Sequence, residues 1–528
     1  MAETDKLTDN LEILLREKKY LDALDLARRC EENRISSSAQ ISGKLLLSLS
    51  QTYYFNNFYQ KSKEYLKLFE KRHPESCQGK VYIRHKYRLL ILEERTEQAI
   101  EFIRNQLKHN VTESERYWLF LYLGKAHFWN GNYLDANRCF QKCYMYYLET
   151  DDNYMLGLTR YMMGYLSLQR ALFDQAECYL DEALLNFKKA KKTRQIGNTL
   201  NMLSFLCFRT GRYDQSKIKI DLAEKYYGVE KSNNNILNCH IARACIGIFE
   251  VDYNLSEEIL KETYREADKL NHKRAQALSA EFLGEIYYRR NQYEEAEDLL
   301  SKALKLARES APRGDVAVEV YRRLADVEIA LGQFDIAKDM ISKAYELCKH
   351  LGDKYELGSV YRADALLALR KCDLERARSL FEESVITHKS INEKFELAST
   401  CKTAAGEYLE WSGKEDIAKG MKEKLIEEAR SLALEAMQLF SSIKLEVRAR
   451  ECRELIRRIE EESGEPGYIK VVFDSSWLYG DCLVARSSHM KKIVRRVKDL
   501  AAQDVEVFLE GETGTGKEVV AKLFHQWS

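Results

Sequence analysis

Apolar positions along most of the chain recur in helical steps, and the helices recur in pairs. In "LGEIYYRRNQYEEAEDLLSKALKLA", residues 283–307, a Leu-Gly step and a Tyr three residues on lead to Tyr293, then Ala296, Leu300 and Ala303. Those last three are four and three residues apart, one face of an α-helix. Residues 123–143 fill the same slots with Gly124, Gly131, Tyr133, Ala136, Phe140 and Cys143. Residues 203–223 use Gly211, Tyr213, Ser216, Ile220 and Ala223, and residues 324–344 use Gly332, Phe334, Ala337, Ile341 and Ala344.

The small residue of each second helix gives the series Ala23, Ser62, Ala99, Ala136, Ala176, Ser216, Ser256, Ala296, Ala337 and Ala377, with spacings of 39, 37, 37, 40, 40, 40, 40, 41 and 40. Ten units on so regular a period predict a repeat array. Gly and Ala let two antiparallel helices approach closely, the aromatic plugs the gap between units, and the loop Gly or Asn ends the first helix. One pair cannot bury its apolar face alone, so neighbouring pairs must stack.

These residues resemble the tetratricopeptide repeat, whose Leu-Gly, Tyr, Ala, Phe and Ala pattern they follow at a longer period. A HEAT-like array fits the length but not the aromatic-x-x-Ala-x-x-x-apolar signature. The resemblance covers residues 10–440, most densely 118–385, and implies a mainly α, right-handed α-solenoid of ~40-residue repeats. It also implies a concave groove, lined by first helices, that binds a protein or peptide. The inner-face spacing places Asn201, Phe205, Arg209, Glu281, Tyr288, Arg289, Arg322, Asp326, Arg362 and Arg370 there. The excess of Arg predicts an acidic or carboxylate-bearing ligand, set against a plain solvated helix face.

The period loosens after Ala377. Residues 414–440 read as a lengthened last helix, closing a repeat array over 1–440. In the segment 441–468, Leu445, Ala449, Cys452, Ile456 and Ile459 step by 4, 3, 4 and 3, which fits either a capping helix or a short coiled-coil seam. "EESGEPGYIK", residues 461–470, with two glycines and Pro466, is punctuation between domains.

Composition narrows the class. The 83 basic and 83 acidic residues cancel, so no global field points to nucleic acid or an anionic membrane. Three prolines in 528 residues suit a helical chain. No apolar run nears the ~20 residues a membrane span needs, and the N-terminus carries no secretion signal, so a cytoplasmic protein without membrane contact is expected. The thirteen cysteines are scattered. Cys139 and Cys143 are one helical turn apart, but no further His or Cys completes a metal set, so they read as buried small residues and no metal is expected.

From 469 onward the texture changes. "YIKVVF" and "VEVFLEG" are strand-like, separated by an amphipathic helix on which Met490, Ile493, Val494, Val497 and Leu500 form one stripe. "VFLEGETGTGKEVVAKLF" then matches Gly-x4-Gly-Lys at Gly511, Gly516 and Lys517, with a strand expected before the loop and a helix after it. In such a loop, Gly511, Glu512, Thr513, Gly514, Thr515 and Gly516 present backbone N–H groups to phosphate, and Lys517 reaches the β/γ-phosphates. Glu518 stands where a Mg²⁺-binding Ser or Thr is usual.

"GETGTGKE" followed by "VVAKLFH" resembles the phosphate loop of the AAA+ ATPases that activate bacterial sigma-54 RNA polymerase, where Glu after Lys is usual. The similarity covers residues 483–528 and makes 469–528 the N-terminal part of such a domain. It implies ATP, with Mg²⁺ in the complete domain, and Leu483, Val484 and Ala485 near the adenine. Hydrolysis would need further parts: an acidic pair, sensor residues and a neighbour's arginine, with contact to sigma-54 RNA polymerase and DNA made beyond residue 528. The expectation is the N-terminal portion of an oligomeric sigma-54-dependent regulator, its array a sensor. The alternatives are an interaction scaffold with a vestigial, non-hydrolysing loop, and a nucleotide switch regulated by repeats.

Overall fold

The computed structural model describes residues 2–528 apart from 18, 33–41, 94, 171, 230–232, 311–313, 415–416, 463–468, 473–481, 486–487, 502, 504–506 and 511–515. The chain is almost entirely helical and forms two compact units. The first comprises Met1–Thr400 with Ile443–Leu445, and the second comprises Cys401–Ser442 with Glu446–Ser528.

Helical pairs follow one another along the first unit. They are α1 Ala2–Arg16 with α2 Tyr20–Glu32, α3 Gly43–Phe55 with α4 Tyr59–Arg72, and α5 Lys80–Leu92 with α6 Thr96–Gln106. Then come α7 Glu113–Trp129 with α8 Tyr133–Glu149, α9 Asn153–Gln169 with α10 Phe173–Lys189, and α11 Thr193–Arg209 with α12 Tyr213–Val229. The series continues through α13 Asn233–Phe249 with α14 Tyr253–Lys269, and α15 Lys273–Arg289 with α16 Tyr293–Ser310. It ends with α17 Asp315–Ala330 paired to α18 Phe334–Leu351, α19 Lys354–Arg370 paired to α20 Leu374–Ser390, and the first turns of α21 Lys394–Ser412, whose residues from Cys401 belong to the second unit. This is the tetratricopeptide-like solenoid that the period predicts.

Each slot of the repeat does what its chemistry requires. The ten small residues from Ala23 to Ala377 are all at most 1% exposed, at the crossing of their pair. Gly284 of α15 rests against the carbonyl of Ala296 and the side chain of Leu300 on α16, where a Cβ would meet Leu300 at 2.7 Å. The aromatic that opens a second helix fills the gap between repeats. Phe128 of α7 packs on Tyr133 at 5.9 Å and on Tyr165 of the next repeat at 4.8 Å between ring centres. The turn within a pair needs one left-handed residue: Gly131, Gly211 and Gly332 supply it at φ 74–77°, while Asn57 and Asn291 adopt it at 65° and 60°. At α7 a capping box fixes the start, with Thr112 Oγ1 accepting from the Glu115 amide and Glu115 Oε2 accepting from the Thr112 amide.

The solenoid coils far enough for distant repeats to touch. Asn57 Nδ2 donates to the Leu270 carbonyl at 2.9 Å, and Asn271 Nδ2 donates back to the Asn57 carbonyl at 3.2 Å. Phe249 stacks on Phe395 at 3.7 Å, 6° from parallel.

In the second unit, α22 Lys419–Ser442 pairs with α23 Glu446–Glu462. The α23 seam is covered within the chain: Ala449, Cys452, Leu455 and Ile459 are buried, and Leu455 takes a place that the heptad spacing assigns to Ile456. Strands β1 Ile469–Val472 and β2 Cys482–Ala485 pair antiparallel, with Lys470 opposite Val484. Helices α24 Ser488–Ala501 and α25 Lys517–Trp527 share a small core of Val494, Val497, Val520 and Leu523. The strand expected at 505–511 does not form over its described residues 507–510, and Phe508 is 89% exposed. A strand exists only against a partner, and among the described residues none lies beside this segment.

Candidate functional site

Two places carry the chemistry that the sequence singles out: the concave channel of the first unit and the loop entering α25.

The channel has a volume of about 2280 Å³ and is lined by first helices, Asn201, Phe205, Arg209, Arg289 and Arg322 among them. That exceeds the roughly 300–1,000 Å³ of an ordinary small-molecule cleft. Its far wall is an ion-pair network. Arg322 donates from Nε to Glu356 at 2.9 Å and from Nη1 to Asp326 at 3.1 Å. Arg323 bridges Glu281 at 2.8 Å and Glu285 at 2.6 Å, and Arg289 also holds Glu285, at 2.5 Å. Arg362 donates to Glu396 at 2.8 Å and to Thr400 Oγ1 at 3.2 Å. Arg209 reaches across 184 residues to Glu393 at 3.2 Å, while its guanidinium lies 3.9 Å over the Tyr355 ring.

The network divides its acids by environment. Burial raises the Glu393 carboxyl to about 7 against the pull of Arg209. Glu396 is equally enclosed, but Arg362 and Arg322 overcome its burial and bring it down to about 2. Burial pushes the Glu319 carboxyl well above the usual range, with Glu281 and Glu356 adding to the push. Acids this close in a dry wall cannot all ionise alike.

The expected groove residues are thereby placed. Arg289 and Glu281 belong to one cluster through Arg323 and Glu285, Arg322 holds Glu356 and Asp326, and Arg362 holds Glu396. Glu281 is fully buried behind the channel surface and pairs with Arg323, so it offers no open carboxylate. Arg370 is exposed at the end of α19, outside the channel lining. The excess of arginine seen along the inner face is no excess in space: Arg209, Arg289, Arg322 and Arg362 each hold a carboxylate. The inner-face spacing missed Arg323 and the acids Glu356, Glu393 and Glu396, which lie off the inner slots or at helix starts, and it passed over Glu285, which shares the slot of Phe205.

Cys139 and Cys143 are buried, and the Cys143 thiol faces the Tyr117 carbonyl at 3.3 Å. Among the described residues no cluster of three or more His, Cys, Asp or Glu is placed to hold a metal. No helix of the described residues is long and apolar enough to cross a membrane.

At the second place, Gly516 takes the left-handed conformation, φ 82° and ψ 20°, and N-caps α25 without a side-chain hydrogen bond. Among the described residues, nothing lies within 4 Å of where its Cβ would be. Lys517 and Glu518 form the first turn, and Val520 and Leu523 face the core. A helix N-terminus capped by glycine with no side-chain hydrogen bond, and with a lysine in its first turn, suits a phosphate group. Gly511, Glu512, Thr513, Gly514 and Thr515 lie outside the described residues. Leu483, Val484 and Ala485 form most of β2.

Residues 483–528 match the family model described as the Sigma-54 interaction domain. Over 46 residues the chain is 48% identical to the C4-dicarboxylate transport transcriptional regulatory protein DctD of Rhizobium meliloti (strain 1021), covering 9% of this chain and 10% of that protein. The solved structures similar to the helical part include a Rap protein complexed with competence and sporulation factor, at 12% identity and a TM-score of 0.47, covering 72% of this chain and 97% of that one. The apo quorum sensor NprR of B. thuringiensis matches at 16% identity and a TM-score of 0.43, covering 66% and 96%. The chain therefore joins a tetratricopeptide-like helical array to a segment similar to the sigma-54 interaction domain.

Proposed function

We propose that this chain is the sensing portion of a sigma-54-dependent transcriptional regulator. Its array takes up a protein, peptide or small-molecule ligand and governs an ATP-binding AAA+ domain to which 469–528 belong. The observation that carries the reading is the match over 483–528, supported by the glycine-capped, lysine-bearing start of α25. Gly516 and the first amides of α25 would hold the β-phosphate, and Lys517 would neutralise the β/γ-phosphates. ATP supplies the phosphoanhydride whose cleavage such domains couple to remodelling of polymerase. Glu518 provides no hydroxyl for Mg²⁺, so the metal would be held by groups other than the residue after Lys517.

The test is nucleotide binding and turnover in the protein expressed from its whole reading frame. Lys517→Ala should abolish ATP turnover and leave ligand binding by the array unchanged. A wild-type protein that binds no nucleotide would leave the scaffold reading in its place.

A further inference from the structure

Eleven residues before the small residue of each repeat, one slot faces the concave side. It supplies Phe205, Cys245 and Glu285 to the channel wall. The same slot holds Arg88 on α5 and Lys125 on α7, and Arg84 sits one turn before Arg88. Among the described residues, Arg84, Arg88 and Lys125 have no carboxylate partner.

Their surroundings are aromatic. The Lys125 ammonium lies 5.1 Å from the centre of the Tyr122 ring, and the Arg88 guanidinium lies 5.7 Å from that of Phe55. Tyr122 stands edge-on to Tyr87 at 4.9 Å, and the buried Tyr87 hydroxyl has no hydrogen-bond partner. Tyr54 is edge-on to His85 at 5.4 Å, and the His85 ring accepts or donates at Ser50 Oγ, 2.7 Å away. Burial, then Arg88 and Arg84, depresses His85 to about 3, so it adds no positive charge at neutral pH. Arg194 of α11 adds positive charge at Tyr54, and Asp152 acts on the neighbouring Tyr154, its carboxylate engaged by the amides of Tyr154 and Met155 at 3.1 and 3.0 Å. Burial brings the Lys125 ammonium down to about 8, with repulsion from Arg88 added and only the Cys143 thiol opposing it.

Three cations without an acid repel one another and are partly out of water, and the attraction of the ring faces offsets only part of that cost. A merely solvated lysine would extend its ammonium into bulk water rather than hold it among tyrosines. We propose that Arg84, Arg88 and Lys125, with the hydroxyls of Tyr54, Tyr87 and Tyr122, bind a compact dianion, the phosphate group of a small phosphate monoester. One carboxylate would leave most of the positive charge unmatched. A phosphate monoester carries about −1.5 to −2 charges and three acceptor oxygens, which suit a guanidinium fork, an ammonium and phenol donors. The site names a ligand class for the array and stands whether or not the α25 loop binds ATP.

Calorimetry on the full 528-residue chain tests it, with phenyl phosphate as the probe. Phenyl phosphate should bind, at least about tenfold more weakly in Arg88→Gln and in Lys125→Met, and unchanged in Lys517→Ala. At pH 8 the binding should take up about half a proton, because the dianion restores the charged form of Lys125. That uptake appears as a binding heat that varies with buffer ionisation enthalpy, and Lys125→Arg should keep the affinity but lose the uptake. Circular dichroism establishes folding, and Arg84→Gln, at an exposed position, repeats the affinity test should either other variant unfold. Succinate binding more tightly than phenyl phosphate would keep the dianion site and make a dicarboxylate its ligand. Equal binding of the monoanion phenyl sulfate, loss of binding only in Lys517→Ala, or no binding of any probe below about 10 mM overturns the proposal.

Discussion

The two ends of the concave face use the same repeat slots for opposite electrostatics. On α15, α17 and α19, the slot arginines Arg289, Arg322 and Arg362 each meet a carboxylate, as Arg322 meets Glu356 and Asp326. On α5 and α7 the corresponding Arg88 and Lys125 meet phenylalanine and tyrosine rings, with the exposed Arg84 one turn before Arg88. Backbone geometry does not distinguish the two regions, since both are built from the same helical pair around an Ala or Ser crossing. The repeat supplies positions, and the residue placed there decides whether a wall is self-satisfied or waits for a counter-ion. A self-satisfied network of this kind contributes little net stability, but removing one member leaves the others buried and unpaired.

The sharpest way to break this comparison is to remove one arginine from each region. Arg323→Met leaves Glu281 and Glu285 without their shared partner, beside Glu319. The expected loss is about 3–5 kcal/mol. Arg84→Met, at an exposed site with no carboxylate, should move stability by no more than about 0.5 kcal/mol. Urea denaturation of both variants, with hydrogen exchange to localise opening to α15–α17, makes the measurement. Equal losses would abolish the distinction between the regions.

A somewhat smaller effect concerns pH. Glu393 is raised to about 7 by burial, so the folded protein holds its proton where the unfolded chain has released it. Its stabilising contribution is full below the ordinary carboxylate range and is lost as pH rises through 7. Between pH 5 and 8 the wild type should therefore lose on the order of 2–3 kcal/mol through this group, and Glu393→Gln should flatten that slope. Glu396, already ionised under the hold of Arg362 and Arg322, contributes nothing across the same window. Denaturation midpoints from pH 5 to 8 compare the two proteins. An unchanged slope in the variant would mean that Arg209 keeps Glu393 ionised throughout.

Much of the array was legible because its signal is local and repeated. The crossing residue, the aromatic plug and the turn residue each recur at a fixed offset, and one occurrence supports the next. What spacing could not show is who stands opposite. Arg209 and Glu393 are 184 residues apart, and their meeting depends on the coiling of the whole solenoid. The inner-face slots drew attention to arginines and so suggested a positive groove, whereas the neutralising acids arrive from other helices. Carrying the same slot backward to α5 and α7 would have found Arg88 and Lys125, because the period there shortens only to 37. At the other end, the glycine-lysine loop was legible as chemistry. The strand expected before it does not form over its described residues 507–510, which have no partner strand among the described residues.

The smallest predicted effect separates a cation that waits for a ligand from one that is simply solvated. Lys125 is depressed to about 8, while in the unfolded chain an ordinary lysine titrates near 10.4. Below pH 8 both states carry the charge, and folding bears the full cost of enclosing it near Arg88. Between about 8 and 10.4 the unfolded chain binds the proton and the folded protein does not, so stability rises with pH through that window. Lys125→Met removes the charge at every pH. It should therefore stabilise the protein by about 1 kcal/mol at pH 7, with the gain gone by about pH 9 and the wild type the more stable at pH 10. Phosphate monoester bound at the site should erase the same difference at pH 7 by supplying the missing counter-charge. A variant that is less stable than wild type at pH 7, or equally stable at both pH values, would mean that water already satisfies Lys125 and that this end of the groove is an ordinary polar face.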